Sequence, residues 1–445
     1  MREKWLRYHR YLALGAGLFF ALLGLTGSLS VYRTALDELL NPQLVIDAPG
    51  KEYLPLDRIM AAVRQAHPRR DGAWTLEMPT SERGMMTAWY EQPHETIGEY
   101  YAPLMVSVNP YSAEVVASRF WGATATTWLL DLHTQLCAGR RGWNAVGALA
   151  VLLMLSLVSG LYLWWPGRQR LWQALALRHD LGVVRLAFDL HRAVGLSAAL
   201  ALFLAAFTGF HLSYPALLET LTGAPGMHHG TDSSDIRSTA VPNNTPVRLG
   251  SAEFIARSPF PSAELRRITT PDGNAGVYRV NFRQIGELNR THPFTLVWVD
   301  RWSGQIQAVR NAAQFSAGQT FMTWIWPLHT GEAYGATGRF IWFIAGLTPL
   351  LLYVSGVLCW LHRRGLFRDR PVDFALLWAW GRRMAGASYR WSVDGWRIAA
   401  VTARLLIRRA LTVKIGDATL EQWLHRWLAR HGYRLERWWR NTFTP

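Results

Sequence analysis

Four of the 14 histidines stand out by position. His9 and His191 occupy equivalent places at the heads of two apolar runs, and His133 and His329 occupy equivalent places just ahead of two others. Two imidazoles brought to one depth on opposite sides of an axis suit the two axial positions of a haem iron. Two bare alternatives stand beside that reading: an interfacial histidine bonded to headgroups or backbone, and an inert histidine retained in both copies of a duplication. Zinc asks for four ligands, and neither depth offers a matched Cys or carboxylate. Without a Cys-x-x-Cys-His sequence there is no covalent attachment of haem, so the expected cofactor is haem b, two per chain. His211, near the end of the third run, and His362, just after the fourth, are possible substitute ligands at their own faces. Arg10 and Arg192 follow the first pair directly and are placed to meet haem propionates, although anchoring to a negatively charged surface explains them equally well.

The elements that must position these residues are four nearly charge-free runs, Tyr11 to Val31, Trp143 to Trp165, Ala193 to Tyr214 and Phe340 to Leu361. At about 1.5 Å per residue each helix spans a hydrocarbon core of roughly 30 Å. The expected class is therefore an α-helical membrane protein. Charge sets its orientation. Residues 1–10, segment 166–192 and the tail 362–445 together carry 26 basic and 9 acidic side chains, whereas the long loops 32–142 and 215–339 carry 21 and 22. This asymmetry predicts cytoplasmic termini, a cytoplasmic 166–192 loop and both long loops outside. The basic excess borders the spans, so it implies a lipid membrane as partner and no nucleic acid. Cys137 and Cys359, the only two cysteines, exclude a four-thiolate metal site.

The chain is a tandem repeat. His9-Arg10 and Thr26-Gly27 align with His191-Arg192 and Thr208-Gly209; Leu132-His133-Thr134 and Val158-Ser159-Gly160 align with Leu328-His329-Thr330 and Val354-Ser355-Gly356. Each half reads as span, outer domain, span, and parallel repeats of this kind are related by a pseudo-two-fold along the membrane normal. Each outer loop reads as a small α+β domain. In the first, Leu56 to Ala66 has helical spacing, followed by strand-like runs Trp74–Met78, Met85–Tyr90, Leu104–Val108 and Glu114–Ser118 with a turn at Asn109-Pro110. The second ends the same way, with Thr295–Val299, a turn from Asp300 to Gly304, and Gln305–Val309. Residues 223–247 read as a flexible insertion. Trp396 to Arg409 reads as a basic amphipathic helix, with Trp423, Trp427, Trp438 and Trp439 beyond it, an interfacial element or a soluble helical tail.

His9-Arg10, the two Leu-His-Thr segments and Ser159-Gly160-Leu161-Tyr162-Leu163-Trp164-Trp165-Pro166 resemble the PepSY-associated transmembrane proteins. Segments 106–115 and 298–306 resemble the closing hairpin of a PepSY domain, with Ser112-Ala113 where a Thr-Gly is usual. The resemblance covers roughly residues 1–365. It implies an iron-regulated bacterial inner-membrane protein with two periplasmic PepSY-like domains. It also implies similarity to ferric-siderophore reductases, with His9, His191, His133 and His329 as haem ligands. The acceptor would then be a ferric siderophore or other periplasmic Fe(III) chelate, and the donor a cytoplasmic or quinone-linked one. The tail carries no Gly-rich phosphate loop for a flavin or nucleotide. The rival readings are a non-catalytic anchored binding module and a transporter, the latter disfavoured by spans without carboxylate or Lys. A periplasm-dependent reporter fused after Pro445 is expected to stay silent; activity there would reverse the topology.

Overall fold

The computed structural model describes residues 1–167, 182–224, 236–239, 241 and 244–366, with the backbone of 414–415 and 418–419. The helix expected over 396–409 and the tail tryptophans, most of the 223–247 insertion and the centre of the 166–192 loop lie outside the described residues. Among the described residues, four helices are long and apolar enough to cross a membrane: α1 (Arg2–Val31), α5 (Gly139–Trp164), α6 (Val183–Ser213) and α10 (Gly335–Arg363). Helices α1 and α6 begin about two and a half turns before their apolar runs, because a helix that satisfies its own backbone can carry charged residues on into the headgroup layer. His9 and His191 therefore lie within helices.

The four helices touch in the ring order α1–α5–α6–α10. On α1, Gly24 packs against Gly346 of α10, and Ser28 Oγ donates to the Phe343 carbonyl at 2.7 Å. Trp143 Nε1 of α5 donates to the Ser213 carbonyl of α6 at 3.2 Å, and Leu157 of α5 packs on Ala198 and Leu202 of α6. Small residues at such crossings let backbones approach where lipid offers no hydrophobic drive. A two-fold exchanging α1 with α6 and α5 with α10 maps this ring onto itself.

Between the spans lie α2 (Arg33–Leu40), α3 (Leu56–Ala66), β1 (Thr75–Glu77), β2 (Met86–Tyr90), β3 (Leu104–Val108), β4 (Val115–Phe120) and α4 (Ala125–Gln135). The second half holds α7 (Pro215–Thr222), α8 (Leu249–Arg257), β5 (Glu264–Thr269), β6 (Val277–Arg283), β7 (Thr295–Asp300), β8 (Ile306–Arg310) and α9 (Ala317–Thr330). The sequence predicts two outer domains; their strands form one antiparallel sheet, in the order β4-β3-β2-β1-β5-β6-β7-β8. The seam pairs equivalent strands, with Leu76 opposite Ile268. One core runs beneath it: Val106, Ala88, Leu76, Ile268, Val280 and Val297 form a cross-strand row that is fully buried against α3 and α8. Asp57 of α3 also caps the other half's helix, accepting from the amides of Leu249 and Gly250 at 2.9 and 3.0 Å.

The two closing hairpins superimpose in their bonding. Asn109 and Asp300 accept from the amides of Tyr111 and Trp302, and the chain then turns through Ala113 (φ 61°) and Gly304 (φ 72°). A left-handed conformation costs an L-residue about 1–2 kcal/mol relative to glycine. Ala113→Gly is thus expected to stabilise the protein by about 1 kcal/mol and raise its thermal midpoint. Gly304→Ala, whose Cβ would meet Ile255 at 3.1 Å, is expected to lower it. A reversed order in a melting series would refute this reading of the turn.

Candidate functional site

The structure brings the four histidines together as two facing pairs. The ring centres of His9 and His191 lie 6.4 Å apart, and those of His133 and His329 lie 6.1 Å apart. Two imidazoles bound on opposite sides of one metal, at about 2.0 Å from each nitrogen, would place their ring centres about 6 Å apart. His133 and His329 are carried by α4 and α9, short helices of their own, and both begin with a capping box, at Thr124 and Ser316.

Each ring is held by a hydroxyl on a neighbouring helix. His9 Nδ1 meets Ser159 Oγ at 2.9 Å, and His329 Nδ1 meets Thr208 Oγ1 at 3.0 Å. His191 Nδ1 meets both Ser355 Oγ and the Leu352 carbonyl at 3.0 Å. His133 Nδ1 lies 2.9 Å from the Leu23 carbonyl and 3.4 Å from Thr26 Oγ1. A carbonyl can only accept. The four hydroxyls are equally restricted, because each donates its own proton to a helix carbonyl: Ser159 to Ser156, Thr208 to Leu204, Ser355 to Leu351 and Thr26 to Leu22. The proton between ring and partner must therefore sit on the imidazole Nδ1. In the neutral ring that leaves Nε2 as a lone pair, and among the described residues no Nε2 of the four makes a hydrogen bond. Metal-binding histidines are held in this way, with the second ring nitrogen donating to an outer-shell oxygen.

A glycine follows each hydroxyl. A Cβ at Gly27 would lie 2.7 Å from His133 Cε1, at Gly209 3.1 Å from His329 Cε1, at Gly160 3.2 Å from His9 Cε1, and at Gly356 3.6 Å from His191 Cε1. The hydroxyl-glycine pairs, visible in the sequence only as markers of the repeat, are thus the seats of the rings. On α1, His9 and Thr26 are seventeen residues apart, and His191 and Thr208 are seventeen apart on α6. The two pairs are consequently about 25 Å apart along the bundle.

The remaining site candidates fall outside the pairs. Arg192 reaches Asp189, buried one turn earlier, at 3.8 Å, whereas Arg10 lies over the Tyr11 ring at 5.8 Å. His211 is buried on α6, three residues beyond Thr208, but the facing rings at that level are those of His133 and His329. His362 is exposed at the end of α10. Among the described residues there is no cluster of three or more His, Cys, Asp or Glu side chains of the kind a zinc site needs. What the pairs can do chemically is hold one metal apiece from opposite sides. Gly27→Ala is expected to displace His133 and lower the metal retained per purified chain by about half, while Gly356→Ala is expected to retain it. Equal retention in the two variants, by elemental analysis, would remove the glycine seats from the argument.

No curated protein matches the chain. The family model for the PepSY-associated TM region matches residues 6–363, an interval that takes in all four spans, the whole sheet and both imidazole pairs, and the chain belongs to that family.

Proposed function

We propose that the chain is a di-haem b electron-transfer protein of the bacterial inner membrane. In this reading it reduces a ferric siderophore or another Fe(III) chelate at the periplasmic face, with the sheet on that side and both termini in the cytoplasm. The observation that carries the reading is the pair of imidazole pairs: ring centres about 6 Å apart, each with its Nδ1 beside an oxygen of a neighbouring helix. Haem bound at each pair would supply one-electron redox chemistry at two levels of the membrane.

The chain's own residues divide the remaining work. His9 and His191 hold the level near the termini, reached by a cytoplasmic or quinone-linked donor. His133 and His329 hold the level beneath the sheet, reached by the acceptor. Ser159, Ser355, Thr26 and Thr208 keep the rings in the ligating tautomer. Arg10 and Arg192, which directly follow His9 and His191 in the chain, would meet the propionates. At the acceptor, Fe(III) takes one electron and becomes Fe(II), which hard oxygen donors hold far less firmly, and the iron is released. No proton changes hands in that step, so none of the carboxylates in the sheet is needed as an acid or base.

The test is spectroscopic. Protein made with ample haem is expected to show a Soret band with two low-spin haems per chain. His133→Ala or His329→Ala is expected to remove about half of that signal and to abolish reduction of an external ferric chelate. His9→Ala or His191→Ala is expected to remove the other half and block electron entry from the cytoplasm, while leaving the sheet-side haem reducible by an impermeant reductant. A protein without a Soret band would sink the proposal and leave an anchored binding module. Retention of both haems in His133→Ala, with loss of one in His211→Ala, would move that ligand to α6.

A further inference from the structure

Two short helices follow the first and third spans, and the repeat relates them residue by residue. One residue separates α1 from α2 and α6 from α7, and in both places it is a tyrosine, Tyr32 and Tyr214. Tyrosine is enriched at the edge of the hydrocarbon layer. Asp37 of α2 then matches Glu219 of α7, and Leu39 matches Leu221.

Both helices are inside out. In water a helix turns its leucines to the core and its carboxylates to the solvent. On α2, Asp37 faces the protein: it accepts from two nitrogens of Arg119 at 3.0 and 2.8 Å and from Thr126 of α4 at 3.1 Å. On α7, Glu219 is buried. The leucines face the other way. Leu39 is 72% exposed and Leu221 is 74% exposed, with Leu40 and Leu217 exposed beside them. The other exposed residues are Thr34 and Ala35 on α2 and Ala216 and Thr220 on α7, so neither helix exposes a charge.

Single exposed leucines are ordinary on a protein surface. Here the exposure is repeated at matched positions and paired each time with an inward carboxylate. In water both halves of that arrangement cost free energy, and an apolar medium outside reverses the sign for the leucines. The location supplies such a medium. Helices α2 and α7 begin where two membrane spans end, so their exposed residues adjoin the lipid-facing surface of those spans, where Leu18 and its counterpart Leu200 are exposed.

We infer that α2 and α7 are interfacial helices, seated with their leucines among the acyl chains of the leaflet on the sheet's side and their carboxylates turned into the protein. The partner is the lipid hydrocarbon and not the headgroup charge, since the exposed face offers no cation to an anionic lipid. The inference holds whether or not the pairs carry haem. It also gives the two helices a task. Asp37 holds Thr126 of α4, and Leu218 of α7 packs against the cluster that contains Met322 of α9. The helices that carry His133 and His329 are thereby braced against the bilayer.

The experiment is hydroxyl-radical footprinting of the unmodified full chain in phosphatidylcholine nanodiscs, read by mass spectrometry and divided by each side chain's intrinsic reactivity. Leu18 and Leu200 are the references for lipid. Phe254 of α8, 77% exposed, is the reference for water. It lies across the sheet from α2, because Arg119 shares its register row with Trp89 and so stands on the face away from α3 and α8. Leu39 and Leu221 are expected to be modified at least about tenfold less than Phe254, and to within about twofold of Leu18 and Leu200. Exchange of the lipid for phosphatidylglycerol is expected to leave these ratios unchanged. Modification of Leu39 and Leu221 at the level of Phe254 would overturn the assignment. Protection found only with two chains per disc would also overturn it, since the leucines would then meet a second copy of the chain. Protection found only in the anionic lipid would overturn it in favour of headgroup charge.

Discussion

The bond from an imidazole Nδ1–H to an oxygen on the next helix is the interaction around which this molecule is arranged. It occurs four times, and each time it joins two elements: α1 to α5, α6 to α10, α4 to α1 and α9 to α6. It fixes the tautomer, and at Gly27, Gly209 and Gly160 it brings the ring within 3.2 Å of where a Cβ would stand. Breaking one such bond leaves a buried donor unsatisfied, worth about 1–3 kcal/mol. Outer-shell bonds of this kind typically govern a metal ligand's affinity by about 10- to 100-fold. If the pairs hold haem as proposed, stability and ligation would draw on the same four contacts.

The two-fold that relates these contacts also organises the sheet. Equivalent edge strands, β1 and β5, meet antiparallel, so the seam is self-complementary in the manner of an isologous dimer interface. Pairing them removes two exposed edges that would otherwise invite pairing with other chains. It also makes one core from two halves, each too small to bury much on its own. The Asp57 cap on α8 strengthens the same union. The sheet thus ties the two repeats together on one side of the membrane, and glycine-mediated crossings such as Gly24 on Gly346 tie them together within it.

Much of this is legible in the sequence, for identifiable reasons. Spans announce themselves by uninterrupted apolar runs, and the duplication by ungapped motifs. Helix α3 and strand β3 are found at their sequence-predicted bounds, the helix because its apolar positions recur at helical spacing and the strand because it is a short apolar run between Pro103 and Asn109-Pro110. The seats of the histidines are harder to read, since Ser159 lies 150 residues from His9 and Thr208 lies 121 from His329. A Ser-Gly or Thr-Gly pair inside a span looks like packing until the partner ring is placed beside it. Strands β5 and β6 also pass unnoticed. In β5, Arg266 and Arg267 stand together between Leu265 and Ile268 and break the alternation, whereas β6 alternates and shows Val280 and Phe282 to be inward. The seam itself rests on strand register, which no local pattern specifies.

The places where the two halves differ are as informative as those where they agree. Geometry is repeated closely: the seventeen-residue spacing, the hydroxyl-glycine seats, the turn residues at Asn109 and Asp300. Charge is not. Asp189, buried one turn before Arg192, has Arg7 at its equivalent on α1, so the carboxylate that meets Arg192 is not repeated at that position in the first half. A ligand pair needs matched positions but not matched fields, because position decides whether a metal is held, whereas nearby charge and hydrogen bonding tune its potential. Duplication fixed the first requirement in both halves at once. The second remained free to diverge, and the residues flanking His9 and His191 are where the two halves have come apart.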